Sequence, residues 1–177
     1  MKDLNMIFAG FGGQGVLFAG KIAAYAGLID DKHISWLPSY GPEMRGGTAN
    51  CSVIISDEPI GSPIVLKPDV LVAMNLPSYT KFVDDVKPGG TLLVDSALIG
   101  EKTTREDIAA HYLPATKIAS DEGFGTLANM LMLGKLLKET GLLTPATVEA
   151  TLTKIVPQKK QDLLELNRRA IALGMSL

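Results

Sequence analysis

The glycine pattern Gly10-x-Gly12-x-x-Gly15 near the start of the chain constrains the fold more than any other feature. It follows Met6-Ile7-Phe8-Ala9, a short continuous apolar run of the kind that forms a strand buried on both faces. Beyond it Val16, Phe18, Ala19, Ile22, Ala23 and Ala26 recur at roughly helical spacing, with Gly27 placed as a stop. Strand, tight turn and helix in that order open a βαβ unit. Glycines permit the turn and a close backbone approach, and the unpaired N–H groups of a helix start point toward an anion. The residues alone leave two readings open. Either Gly10, Gly12, Gly13, Gln14 and Gly15 contact a ligand, with Gln14 offering a neutral donor and acceptor at the rim, or the glycines only let strand and helix pack closely.

An ordinary NAD site fails one check. The dinucleotide fingerprint asks for an acid about 20 residues on, at the end of the second strand, to hold the ribose hydroxyls. Here the second expected strand is His33-Ile34-Ser35-Trp36-Leu37, followed by Pro38, and Asp30 and Asp31 precede it.

The rest of the chain repeats the alternation. Ala49 to Ile55 reads as a strand, and Asp69-Val70-Leu71-Val72-Ala73-Met74 as a buried one. Pro77 to Val86 is expected to be helical, Lys87-Pro88-Gly89-Gly90 a turn, and Thr91 to Asp95 a strand. A weaker strand is expected around Lys117-Ile118-Ala119. Leu127 to Thr140 crowds Leu127, Met130, Leu131, Leu133, Leu136 and Leu137 onto one helical face, with Gly141 ending it. Thr144 with Pro145 behind it caps a further helix through Val148, Leu152 and Ile155, and a last one runs through Leu163, Leu164, Leu166, Ala170 and Ile171. Strands alternating with helices predict an α/β fold, a Rossmann-like three-layer sandwich whose mostly parallel sheet is covered by helices on both faces. With no linker or repeat visible, residues 1–177 form a single expected domain.

Composition narrows the function classes. A formal charge of −2 without long charged runs gives no nucleic-acid footprint. Lys159-Lys160 and Arg168-Arg169 are expected on a solvated helix face. The single cysteine, Cys51, cannot by itself hold an iron–sulfur cluster, which takes about four thiolates, and it reads as a small buried hydrophobe. His33 and His111 lack neighbours at ligand spacing, so no metal site is expected. The apolar stretch near Met1 is broken by Gly10, so neither signal peptide nor membrane span is expected, and a cytoplasmic location follows.

The most distinctive segment is Tyr40-Gly41-Pro42-Glu43-Met44-Arg45-Gly46-Gly47-Thr48, a shaped loop stiffened by proline and freed by paired glycines. Glu43 and Arg45 bracket Met44 there. Two readings stay open: Arg45 presented for bidentate binding of carboxylate or phosphate, or a structural Glu–Arg pair on a glycine turn.

Taken together, Gly10 to Val16, Pro42 to Thr48 and Asn129 to Gly134 resemble the gamma subunit of the 2-oxoacid:ferredoxin (acceptor) oxidoreductases. That family includes the pyruvate, 2-oxoglutarate and 2-oxoisovalerate enzymes. The resemblance implies a gamma-type domain that is not active alone. It implies partner alpha and beta subunits holding thiamine diphosphate and magnesium, and iron–sulfur clusters there or in a ferredoxin-like delta subunit. The implied reaction oxidatively decarboxylates a 2-oxoacid with coenzyme A, giving acyl-CoA, carbon dioxide and electrons for ferredoxin. The gamma domain is then expected to help close the active site and handle coenzyme A. In that scheme Gly12 to Gly15 receive one phosphate, and Arg45, with Gly46, Gly47 and Thr48, a second phosphate or a partner carboxylate. Tyr40, Pro42, Glu43 and Met44 complete the loop as partner or structural residues, and no catalytic residue is expected in this chain. A short gamma chain is most similar to the 2-oxoglutarate or branched-chain enzymes, and the 2-oxoglutarate type is the favoured expectation. A free-standing nucleotide-binding module and an NAD-dependent dehydrogenase are the competing readings, and neither gives Pro42 to Thr48 a purpose.

Overall fold

A computed structural model describes residues 3–39, 49–141, 143–157 and 161–177 of the chain. The loop from Tyr40 to Thr48, with its expected site residues Tyr40, Pro42, Glu43, Met44, Arg45, Gly46, Gly47 and Thr48, lies outside the described residues, as do Lys159 and Lys160.

The chain begins with strand β1 (Leu4–Gly10), helix α1 (Val16–Ile29), β2 (His33–Ser39) and β3 (Ala49–Ser56). It continues through β4 (Val70–Ala73), α2 (Leu76–Phe82) with a 3-10 turn at Val83–Asp85, and β5 (Thr91–Asp95). The remainder is β6 (Ala109–Leu113), α3 (Ala115–Asp121), α4 (Ala128–Thr140), α5 (Pro145–Ile155) and α6 (Gln161–Ser176). One six-stranded sheet holds them together in the order β2-β3-β1-β4-β5-β6. The neighbours β1, β4, β5 and β6 pair in parallel, whereas β3 runs antiparallel to both β1 and β2. The expectation of a mostly parallel sheet therefore holds, with one antiparallel strand set into it. Only residues 40–48 separate β2 from β3. A parallel crossover needs a dozen or more residues, so the chain has to return antiparallel.

Successive residues of each central strand serve opposite faces. Met6 and Phe8 join the larger core under α1 and α3 to α6, with Ile22, Ala23, Met130, Leu131 and Val148. Ile7 and Ala9 join a smaller core with Tyr79, Val83 and Val86 of the α2 region and Val65 and Ile99 from connecting segments. The three layers are thus unequal. Several elements begin with their own caps: Asn75 Oδ1 accepts from Ser78 N at 3.0 Å at the start of α2, and Thr144 Oγ1 accepts from Thr147 N at 3.1 Å before Pro145 in α5.

Three sequence expectations are corrected. Gly27 does not stop α1, which runs on to Ile29. It is instead a point of close approach, since a Cβ there would lie 2.9 Å from Ile55 of β3. Lys117-Ile118-Ala119 is helical, inside α3, and the strand in that region is β6, earlier in the chain. The amide of Gln14 does not stand at the rim of the glycine loop but is turned inward, as described below. Among the described residues, no helix is long and apolar enough to cross a membrane.

Candidate ligand cleft at the divergence of β1 and β4

The chain leaves β1 through α1, which packs on the larger-core face, toward the β2–β3 side of the sheet. It leaves β4 through α2, which packs on the other face, toward β5. The connections diverge between β1 and β4, and a crevice opens outside the carboxyl ends of these strands. In open α/β sheets this is where ligands bind.

Each wall has a physical cause. Gln14 N donates to Phe11 O at 3.2 Å, closing a tight turn, and Gly13 and Gly15 take left-handed φ values of 101° and 73°. The Gln14 side chain fastens this turn to the next strand. Its Oε1 accepts from Phe11 N at 2.8 Å, and its Nε2 donates to Met74 O, just past β4, at 2.7 Å. Gln14 is consequently buried, a brace across the divergence rather than a free amide. Gly10 must lack a side chain, because a Cβ there would sit 2.4 Å from Gln14 Oε1. At the helix end of the loop, Asn129 Nδ2 from α4 donates to Gly15 O at 2.9 Å. Gly12 is half-buried within the turn.

The far wall comes from β5 and α3. Asp95, the last residue of β5, is fully buried. Its carboxylate accepts from Ala97 N at 3.2 Å, from Thr116 N at 3.2 Å and from the Thr116 hydroxyl. These bonds seat the first turn of α3, whose N-terminal flank is Pro114 and offers no side-chain cap of its own. The result is a cleft of about 250 Å³. Phe11, Met74, Leu98 and Ala128 supply its apolar walls, Gly13, Gln14 and Gly125 its backbone-rich floor, and Thr116 and Thr126 its hydroxyls. None of these lining side chains is charged.

Of the expected site residues, Gly10, Gly12, Gly13, Gln14 and Gly15 are brought together at this cleft. The described residues on either side of segment 40–48 are Ala49, which begins β3 as the register partner of Gly10, and Ser39, which ends β2 paired with Asn50. Phe11, Met74, Leu98, Asp95 and Thr116 were not singled out by the sequence. A buried acid closing a predicted strand was the one local signal, at Asp95. Cys51 lies on β3 under α1, with burial pushing its thiol up to about 12 and its Sγ–H donating to Val16 O at 3.7 Å. It is a packing residue there, since a Cβ at Gly20 would lie 2.4 Å from its sulfur. His33 and His111 lie on β2 and β6, the two opposite edges of the sheet.

A fold with a ligand crevice on a glycine loop defines a broad class, and comparison with known proteins narrows it. A profile of the family described as pyruvate ferredoxin/flavodoxin oxidoreductase matches residues 5–177. The ketoisovalerate oxidoreductase subunit VorA of Methanothermobacter marburgensis is 46% identical over 136 residues, covering 77% of this chain, and the chain spans only 28% of that relative's length. The 2-oxoglutarate synthase subunit KorC of Methanocaldococcus jannaschii is 41% identical, covering 91% of this chain and 87% of its own length. Among solved structures, the gamma subunit of the keto/oxoacid ferredoxin oxidoreductase from Geobacter sulfurreducens superposes with a TM-score of 0.82 at 32% identity, covering 98% of this chain and 96% of that one. The 2-oxoglutarate:ferredoxin oxidoreductase from Magnetococcus marinus, solved with 2-oxoglutarate, coenzyme A and succinyl-CoA bound, superposes with a TM-score of 0.89 at 25% identity, covering 99% of this chain and 31% of that one.

The chain belongs to the pyruvate ferredoxin/flavodoxin oxidoreductase family. Within it, this is a gamma-type chain, matched along nearly its whole length by the Geobacter gamma subunit.

Proposed function

We propose that this chain works as the gamma subunit of a 2-oxoacid:ferredoxin oxidoreductase of the 2-oxoglutarate type. In this reading the complex converts 2-oxoglutarate, coenzyme A and oxidised ferredoxin into succinyl-CoA, carbon dioxide and reduced ferredoxin in the cytoplasm. Thiamine diphosphate, magnesium and iron–sulfur clusters sit in alpha, beta and ferredoxin-like delta partners, and the gamma chain helps close the site and holds part of coenzyme A. The cleft on the glycine loop is the observation that carries this role: it has the position of a ligand site and a volume of about 250 Å³. Its uncharged lining suits the middle of coenzyme A better than its phosphates. Those fall to the α1 start at Gly12 to Gly15 and to Arg45, four residues before Ala49, the register partner of Gly10.

The choice of oxoacid rests on similarity among short separate chains: the KorC relative of Methanocaldococcus jannaschii is 41% identical, the common gamma subunit of the Thermococcus litoralis pyruvate/ketoisovalerate oxidoreductases 30%. Turnover by the purified complex on 2-oxoglutarate, pyruvate and 2-oxoisovalerate tests this, with 2-oxoglutarate expected to give the highest kcat/KM. A clear preference for either other acid overturns the substrate assignment. Calorimetric titration of an Arg45→Ala complex tests the phosphate role, and unchanged coenzyme A affinity sinks it.

A further inference from the structure

The polarity of the cleft carries a more specific statement. Thr116 lines it, and the Thr116 hydroxyl spends its one hydrogen on Asp95 Oδ2. Asp95 is wholly buried, and its oxygens also receive Ala97 N and Thr116 N. A carboxylate held among N–H donors offers only acceptors, so it fixes the direction of the Thr116 O–H bond. What Thr116 has left is acceptor capacity. Any hydrogen bond it makes to a molecule in the cleft must be donated by that molecule. The Gln14 amide already bonds Phe11 N and Met74 O, and the Thr126 hydroxyl can donate or accept and so does not select, which leaves the fixed direction of recognition to Thr116.

We propose that Thr116, aligned by Asp95, is the specificity-determining residue of the cleft, accepting an amide N–H from an aliphatic arm that lies along Phe11, Met74, Leu98 and Ala128. An aliphatic chain carrying secondary amides is the chemistry that satisfies both halves of this lining, with apolar walls for the methylenes and a fixed acceptor at Thr116 for the N–H. The pantetheine arm of coenzyme A belongs to that class, so the inference rests on the coenzyme A reading above and sharpens it to one atom. Asp95 is a positioning residue here and touches no ligand.

The test uses the assembled complex. Steady-state kinetics of Thr116→Val should show KM for coenzyme A raised roughly five-fold, the worth of about one neutral hydrogen bond. KM for the oxoacid should stay unchanged, and Thr116→Ser should restore the wild-type value. Asp95→Asn, which lets the position-95 side chain donate and so turns the Thr116 hydroxyl toward the cleft, should likewise raise KM for coenzyme A without moving KM for the oxoacid. A merely structural Asp95 would lower thermal stability without that split.

A second measurement separates the inference from the reading it rests on. In a Leu98→Cys complex, desulfo-coenzyme A, which has no thiol of its own, should protect the new cysteine from alkylation, followed by mass spectrometry of its peptide. Protection together with the KM pattern supports the proposal. Protection with an unaltered KM in Thr116→Val overturns the role of Thr116 while leaving the cleft occupied by the coenzyme. Absence of protection overturns the coenzyme A reading of the cleft, and the proposal with it.

Discussion

Gly15 shows how much one hydrogen atom in place of a side chain can decide. Its φ of 73° is costly for any residue with a Cβ, and that Cβ would lie 2.4 Å from Asn129 Nδ2, the group that donates to Gly15 O. Gly15→Ala should therefore cost about 2–3 kcal/mol in urea unfolding, combining backbone strain with the loss of a half-buried hydrogen bond. Gly123 provides the control, with a similar φ of 70° and open space around its Cβ position. Gly123→Ala should cost only about 1 kcal/mol, and equal losses at the two sites would refute the role given to Asn129. A different residue contributes to the acid response. Glu139 is held below the usual carboxylate range, first by its hydrogen bond from Lys135 and then by the charges of His111 and Lys138. A depressed folded-state value means the stabilisation is complete above the unfolded pKa of about 4.3 and disappears as pH falls through the lower folded value. Thermal melts between pH 6 and pH 3 should therefore show a shallower decline for Glu139→Gln than for the natural chain.

Helix pairs carry their own constraint, and the tightest is α4 on α6. A Cβ on Gly134 would meet Ile171 O at 2.1 Å, and one on Gly174 would meet Leu131 O at 2.1 Å. The two glycines let the backbones touch from both sides. Gly134→Ala and Gly174→Ala should each cost about 3 kcal/mol by prying the helices apart. The double variant should cost less than the sum, because one alanine has already opened the space that the other needs. Urea midpoints of the three variants measure this directly, and additive losses would show the two contacts to be independent. Element boundaries were legible wherever the signal was local, as with the capped start of α5 at Thr144-Pro145 and the glycine end of α4 at Gly141, whose φ is 59°. Segment 115–121 was not legible because its helical start is seated by Asp95 from another strand. The alanines Ala115 and Ala119, one turn apart, face the core there. Likewise β6, with the sequence Ala-Ala-His-Tyr-Leu, has weak intrinsic strand preference and exists through its register with Thr91 to Asp95.

For the whole molecule, one half of the cleft could be read from the chain and the other could not. Gly10 to Gly15 announce themselves because a strand-turn-helix must concentrate its glycines. Leu98, Thr116 and Ala128 come from the segment after β5, the start of α3 and the start of α4, and are ordinary residues individually, so only the tertiary fold makes them a wall. The orientation of β3 escaped for a similar reason, since an apolar strand pattern does not tell parallel from antiparallel pairing. Among the described residues, the cleft is lined by apolar side chains, glycines, one amide and two hydroxyls. The only cysteine is buried with its thiol pushed up to about 12, and the two histidines occupy opposite edges of the sheet. As the gamma subunit proposed above, the chain alone should melt cooperatively yet release no carbon dioxide from 2-oxoglutarate and reduce no ferredoxin or viologen. Added to a complex from which it has been stripped, it should restore coenzyme A-dependent turnover, and the Thr116→Val chain should restore it only at elevated coenzyme A. Oxoacid-dependent reduction of an acceptor by the isolated chain would overturn the subunit assignment.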